Sequence, residues 1–124
     1  MKKAIVTDKA PGAIGPYSQG IKIGNLYYFS GQLPIDPKTN IMPEGIKERT
    51  KQSLENIKGL LESVGLDLTH VVKTTVFLDN MEDFASMNEV YATYFKEPYP
   101  ARSAVEVAKV PKGALVEIEV IAYE

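Results

Sequence analysis

The chain has no cysteine among its 124 residues, which excludes disulfides, thiolate nucleophiles and cysteine-ligated zinc. It has a single histidine, His70, so a multi-histidine metal centre is excluded too. Its uninterrupted apolar runs are only a few residues long, far short of what a membrane-spanning helix needs. Met1-Lys2-Lys3-Ala4-Ile5-Val6-Thr7-Asp8 is briefly basic but has no apolar segment behind it. It does not read as a signal peptide, and a cytoplasmic location is the default expectation. Repeats, low-complexity tracts and linkers are absent, so residues 1–124 are expected to form one domain. No Gly-x-Ser-x-Gly elbow, phosphate loop or dinucleotide fingerprint occurs. The glycines of Gly12-Ala13-Ile14-Gly15-Pro16 lack the spacing and the following helix that a phosphate loop requires. The expectation is therefore no cofactor and no metal.

A basic stripe is missing as well. The formal net charge is −2, whereas nucleic-acid binders draw most of their affinity from neutralising phosphates. Lys47, Arg49 and Lys51 stand among acids such as Glu48 and read as a solvated helix face. Neither a nucleic acid nor a membrane is expected as a partner.

What is present is the balance of a globular protein, 44% hydrophobic and 24% charged residues. Lys3 to Val6 suits a short edge strand. Tyr17 to Ile23 and Leu26 to Ser30 flank Gly24-Asn25, a pair able to take the positive φ angles of a hairpin turn. Gly31 to Pro43 holds three prolines with Asp36 and Asn40, the chemistry of a loop. From about Glu44 the period changes: Ile46, Thr50, Leu54, Ile57, Leu61 and Val64 step by three and four, and Gly65 stands where a left-handed C-cap ends a helix. Val71 to Leu78 is a β-branched strand. Asn80 offers an N-cap to a second helix with Phe84, Met87, Tyr91 and Phe95 on one face, stopped by Pro98 and Pro100. Ala101 to Val107 and Leu115 to Tyr123 complete the chain as strands joined through Pro111, Lys112 and Gly113.

The order β-β-β-α-β-α-β-β predicts an α+β fold. Two helices cannot cover both faces of a six-stranded sheet, so both are expected on one. In the last strand Val116, Ile118, Val120 and Ala122 belong under the helices, and Leu115, Glu117, Glu119, Ile121 and Tyr123 share the other face. In the preceding strand Ser103, Val105 and Val107 alternate with Arg102, Ala104 and Glu106, which would set Arg102 beside Glu117 and Glu119. That second face is too apolar for water and too charged for a monomer core, so a closed homo-oligomer is expected to cover it.

Arginine, carboxylates, hydroxyls and backbone remain for chemistry. Arg102 is a planar, permanent cation able to grip a carboxylate through two parallel hydrogen bonds. Glu117 or Glu119, adjacent by hairpin pairing of the last two strands, is suited to hold a proton or a water. A plain cross-strand Arg–Glu pair accounts for the same residues and, on an exposed sheet, would contribute only about 0–1 kcal/mol. His70 falls at a strand entry, where a surface role suits it.

Several blocks then point to a family. Ile14-Gly15-Pro16-Tyr17-Ser18-Gln19-Gly20, Phe29-Ser30-Gly31-Gln32-Leu33-Pro34, Val72-Lys73-Thr74-Thr75-Val76-Phe77-Leu78, and Pro100-Ala101-Arg102-Ser103-Ala104-Val105-Glu106-Val107 with Val116-Glu117-Ile118-Glu119 resemble, in order and spacing, the signatures of the RidA/YjgF family. The resemblance covers nearly the whole chain. It implies a chorismate-mutase-like fold of the bacillus type, assembled as a homotrimer with a central barrel of sheets, helices outside and three sites between subunits. It implies hydrolysis of reactive enamines and imines, such as 2-aminoacrylate and 2-iminobutyrate, to 2-keto acids and ammonia, without metal or organic cofactor. By the same resemblance Arg102 binds the substrate carboxylate and Glu117 places the attacking water. Tyr17, Ser30, Gly31 and Asn88 match the remaining substrate-binding positions. A non-catalytic protein that binds 2-keto acids or other small carboxylates is the alternative. The chain departs from many relatives in carrying Ala104 where they have cysteine, which removes any thiol role and alters the pocket. The ribonuclease activity attached to some relatives fits poorly with the acidic balance.

Overall fold

The computed structural model describes residues 1–124. The strands are β1 (Lys3–Ile5), β2 (Gly20–Ile23), β3 (Leu26–Phe29), β4 (Val71–Leu78), β5 (Ala101–Glu106) and β6 (Val116–Tyr123), and the helices are α1 (Ile46–Ser63) and α2 (Phe84–Tyr94). The expected order of elements is the observed one. The six strands form one sheet in the order β1-β2-β3-β6-β4-β5. Every pairing is antiparallel except β4 with β5, which the α2 crossover makes parallel.

Local chemistry sets the element ends. Gly24 takes φ +59° in the two-residue turn between Ile23 and Leu26, while Asn25 keeps a negative φ. Gly65, at φ +78°, ends α1, its N–H donating to the Glu62 carbonyl at 3.1 Å. Asn80 does cap a turn: its Oδ1 accepts from Glu82 N at 2.9 Å and starts the short 3-10 turn Met81–Asp83 that feeds α2. His70 lies in another such turn, Leu68–His70, where Asp67 is the cap and the imidazole answers it.

Helix α1 buries Leu54, Ile57, Leu60 and Leu61 against the Val116, Ile118, Val120 and Ala122 face of β6 and the Val76 and Leu78 positions of β4. This is the face assignment expected for β6. The expected hairpin between β5 and β6 is not formed. Instead β6 runs between β3 and β4, and β5 lies on the outer edge of β4. The central place goes to the strand whose alternate positions are all apolar and buried, whereas β5 is exposed or half-buried throughout.

The second expected strand is shorter at its start, because Tyr17 to Gln19 belong to a loop. There the buried Gln19 amide donates to the carbonyls of Thr7 (2.9 Å), Ala10 (3.3 Å) and Pro11 (2.8 Å) and accepts from Thr7 N (2.8 Å). That one side chain fastens the segment after β1. Buried Asn56 of α1 does the same for the proline-rich loop, donating to Leu33 O at 3.1 Å and Ile35 O at 2.9 Å. Arg49, expected on a solvated face, instead donates to Pro43 O (2.7 Å) and Gly113 O (3.2 Å), tying that loop to the turn before β6. No helix is long and apolar enough to cross a membrane.

Candidate functional site

Arg102 stands on the edge strand β5 with Thr74 of β4 as its register partner. Thr74 in turn pairs with Val120, one of the residues under the helices. Arg102 therefore lies on the helix-covered face, not on the open face where alternation along β5 had set it. The register is fixed by the parallel pairing with β4, which an isolated reading of β5 does not contain. Once there, the guanidinium meets α2. Its Nη1 donates to Asn88 Oδ1 at 2.6 Å, and its centre lies 4.7 Å from the Tyr91 ring and 5.4 Å from the Phe84 ring. Such stacking contributes about 0.5–2 kcal/mol per ring. No Asp or Glu carboxylate forms an ion pair with Arg102. The result is a fixed cation, half-buried, without a counter-ion in its own chain.

The other predicted residues gather elsewhere. The chain leaving β3 crosses β6, where Gln32 N donates to Ile118 O at 2.7 Å and Ile118 N donates to Gln32 O at 3.2 Å. This bridge lays Gly31 directly on Glu117: a Cβ at position 31 would stand 2.5 Å from Glu117 Oε2. Ser30 Oγ donates to Ser18 O at 2.6 Å, and Ser30 N to Gln19 O at 2.9 Å, which joins the two N-terminal motif blocks. Tyr17, Ser30, Gly31 and Glu117 all line one open cavity of about 620 Å³. Burial pushes the Glu117 carboxyl above the usual carboxylate range, and the negative charge of Glu119 adds to the shift. Glu119 itself is exposed and does not line the cavity, so of the two candidates Glu117 is the one the cleft holds.

Two groups thus emerge: Arg102 with Asn88, and Glu117 with Tyr17, Ser30 and Gly31. One chain does not bring them together. Thr74, the partner of Arg102, and Phe77, the partner of Glu117, are three residues apart on β4 and point to opposite faces. The simple cross-strand Arg–Glu pair weighed from the sequence is absent for the same reason. Ala104 follows Arg102 on the helix-covered face and packs against the core.

Several contributors were not among the sequence candidates. Phe84 and Tyr91 read as core positions, yet with Asn88 they fall at i, i+7 and i+4 on α2, a spacing that would have revealed the stripe. Asn40 (φ +61°) and Lys112 (φ +59°), the only non-glycine residues with positive φ, both line the Glu117 cavity. No three His, Asp or Glu side chains converge as metal ligands would. The chain thus presents a guanidinium without a counter-ion on one side of the sheet and a half-buried carboxyl in a cleft on the other.

A mixed sheet carrying both helices on one face, with an unpaired arginine against α2 and a glutamate-lined cleft, defines an α+β protein. The family model described as Endoribonuclease L-PSP matches residues 7–124. A RutC family protein of Pyrococcus horikoshii is 58% identical over 125 residues, covering 100% of this chain and 99% of its own. The 2-iminobutanoate/2-iminopropanoate deaminase of Salmonella typhimurium is 48% identical over 125 residues, with 98% of each chain covered. The crystal structure of RidA from an Antarctic Psychrobacter superposes with a TM-score of 0.95 at 52% identity, covering 98% of this chain and 99% of that one. The chain belongs to the RidA/YjgF family.

Proposed function

We propose that the protein hydrolyses reactive enamine and imine intermediates, of the class of 2-aminoacrylate and 2-iminobutyrate, to 2-keto acids and ammonia. The observation that carries this reading is Arg102, a positioned guanidinium with no carboxylate partner of its own. Relatives that are named 2-iminobutanoate/2-iminopropanoate deaminase at 47–48% identity support the reaction class. In this reading residues 1–124 act as one domain in a homotrimer. Arg102 and Asn88 of one subunit face Tyr17, Ser30, Gly31 and Glu117 of the next, which accounts for their separation within a chain.

The enamine tautomerises to the imine, and Arg102 binds its carboxylate. Glu117 accepts a proton from a water that attacks the C=N carbon, giving a carbinolamine. The nitrogen, protonated in turn, leaves as ammonia, and the hydroxyl proton is lost as the keto acid forms. A protonated imine is already a strong electrophile, so positioning and modest electrostatic help suffice. Phosphodiester cleavage fits the site less well. The single histidine caps a turn with Asp67, and Lys112 is the only basic residue lining the Glu117 cavity.

The test is ammonia release from an imine generated in situ by an amino-acid dehydratase. The native protein is expected to exceed the spontaneous rate, and Arg102→Ala to fall back to it. An Arg102→Ala protein as fast as the native one overturns the assignment. Calorimetry with 2-ketobutyrate separates the alternative, because binding without turnover identifies a carboxylate-binding regulator.

A further inference from the structure

Tyr91 is nearly fully buried at 6% exposure, and it is held from three sides. Its hydroxyl is 2.8 Å from Thr74 Oγ1, its ring packs 4.6 Å from Phe95 at 35°, and its other neighbour is the Arg102 guanidinium at 4.7 Å. Thr74 is also the register partner of Arg102 in the parallel β4–β5 pair. The contacts therefore close on themselves: backbone pairing fixes Arg102 against Thr74, Thr74 fixes the Tyr91 hydroxyl, and the Tyr91 ring meets the guanidinium of Arg102. Buried apolar surroundings push the Tyr91 hydroxyl up from its ordinary range, so it stays neutral.

One helix face completes the enclosure. Phe84, Asn88 and Tyr91 present two rings and one amide to the same guanidinium. Asn88 occupies Nη1, and neither Nε nor Nη2 of Arg102 has a partner in the chain. A guanidinium so held keeps one edge for a planar anion, with the parallel donors that a carboxylate matches.

We propose that Tyr91 is a positioning residue for carboxylate recognition, orienting Arg102 through ring stacking rather than through its hydroxyl, with Phe84 as the weaker second ring. This rests on the reading of Arg102 as the carboxylate anchor. Tyr91 does not touch substrate; it acts by keeping the free Nε–Nη2 edge turned outward. Its loss therefore weakens binding of the ground state and transition state alike, raising KM and leaving kcat nearly unchanged.

The experiment compares Tyr91→Leu and Tyr91→Phe, each tested in the ammonia assay and by calorimetry with 2-ketobutyrate, with melting curves recorded alongside. Tyr91→Leu is expected to raise both KM and the 2-ketobutyrate Kd about tenfold, with kcat within about threefold of native. Tyr91→Phe is expected to rescue both constants to within about threefold of native. A folded Tyr91→Leu protein with native affinity overturns the proposal, and so does a Tyr91→Phe protein as impaired as Tyr91→Leu. If Tyr91→Leu does not fold, Phe84→Leu decides: a KM raised about threefold supports the aromatic enclosure, and an unchanged KM overturns it. The two readings fail differently. A native protein that binds keto acid without releasing ammonia removes the catalytic reading and leaves the enclosure testable by Kd. Native turnover with unaffected variants removes the enclosure alone.

Discussion

Arg102 and Glu117 extend from opposite faces of the same sheet, their β4 partners Thr74 and Phe77 lying three residues apart. If both act on one substrate, they do so from different subunits. Subunits carrying Arg102→Ala mixed with subunits carrying Glu117→Gln should then recover activity, because some interfaces pair an intact arginine with an intact glutamate. Random assembly of equal amounts gives about a quarter of native sites, half the arginines times half the glutamates. Ammonia release from co-refolded mixtures reads this directly. Mixtures as inactive as either parent would show that each chain needs both of its own residues.

Glu117 predicts a pH dependence. Its carboxyl is held above the usual range by burial first and by Glu119 second, and in the proposed role of water-activating base it must be ionised. Activity should therefore rise with pH through a limb lying above the ordinary glutamate value of about 4.3. Removing the neighbouring charge by Glu119→Gln should move that limb down. The sign for stability follows: a carboxyl with a raised folded pKa favours the fold below its unfolded value and loses that contribution as pH rises through the folded one. Glu117→Gln should accordingly melt higher than the native protein near neutral pH, with the difference closing in acid. Melting curves across pH 3–8, a range of about five units around that limb, test it.

Gly31 is required by contact, not by backbone angle. A methyl group there would stand 2.5 Å from Glu117 Oε2 and 2.9 Å from its Cδ. The carboxylate is the flexible partner, so Gly31→Ala should swing Glu117 out of place at little cost in folding. The expected outcome is a kcat loss of about 10–100-fold with a melting temperature close to native. Steady-state kinetics beside a thermal scan check both halves, and an unchanged kcat would separate Glu117 from the chemistry.

Gln19 belongs to the first motif block and lines the cleft, yet its buried amide serves the fold. Its amide makes four hydrogen bonds to Thr7, Ala10 and Pro11. Gln19→Ala would leave these backbone groups without partners at a buried position and should cost about 2–4 kcal/mol. Denaturant unfolding measures it, with limited proteolysis expected to open the segment before β2 first.

The sequence by itself determined the element order, the apolar stripe of α1 and the buried face of β6, because periods of 3.6 and 2 residues are local properties. Asn80 and Gly65 were legible for the same reason: a cap depends on its own few residues. The motif blocks were enough to name Arg102, Glu117, Tyr17, Ser30 and Gly31 as site candidates, and the family resemblance they carry added Asn88. Tertiary structure decided how these are shared out. Whether β5 pairs with β6 or with β4 is settled by the α2 crossover and by the competition for the central strand position, neither of which a single strand records. That choice moved Arg102 from the open face to α2, gave the core residues Phe84 and Tyr91 a second role as walls around a guanidinium, and parted it from Glu117.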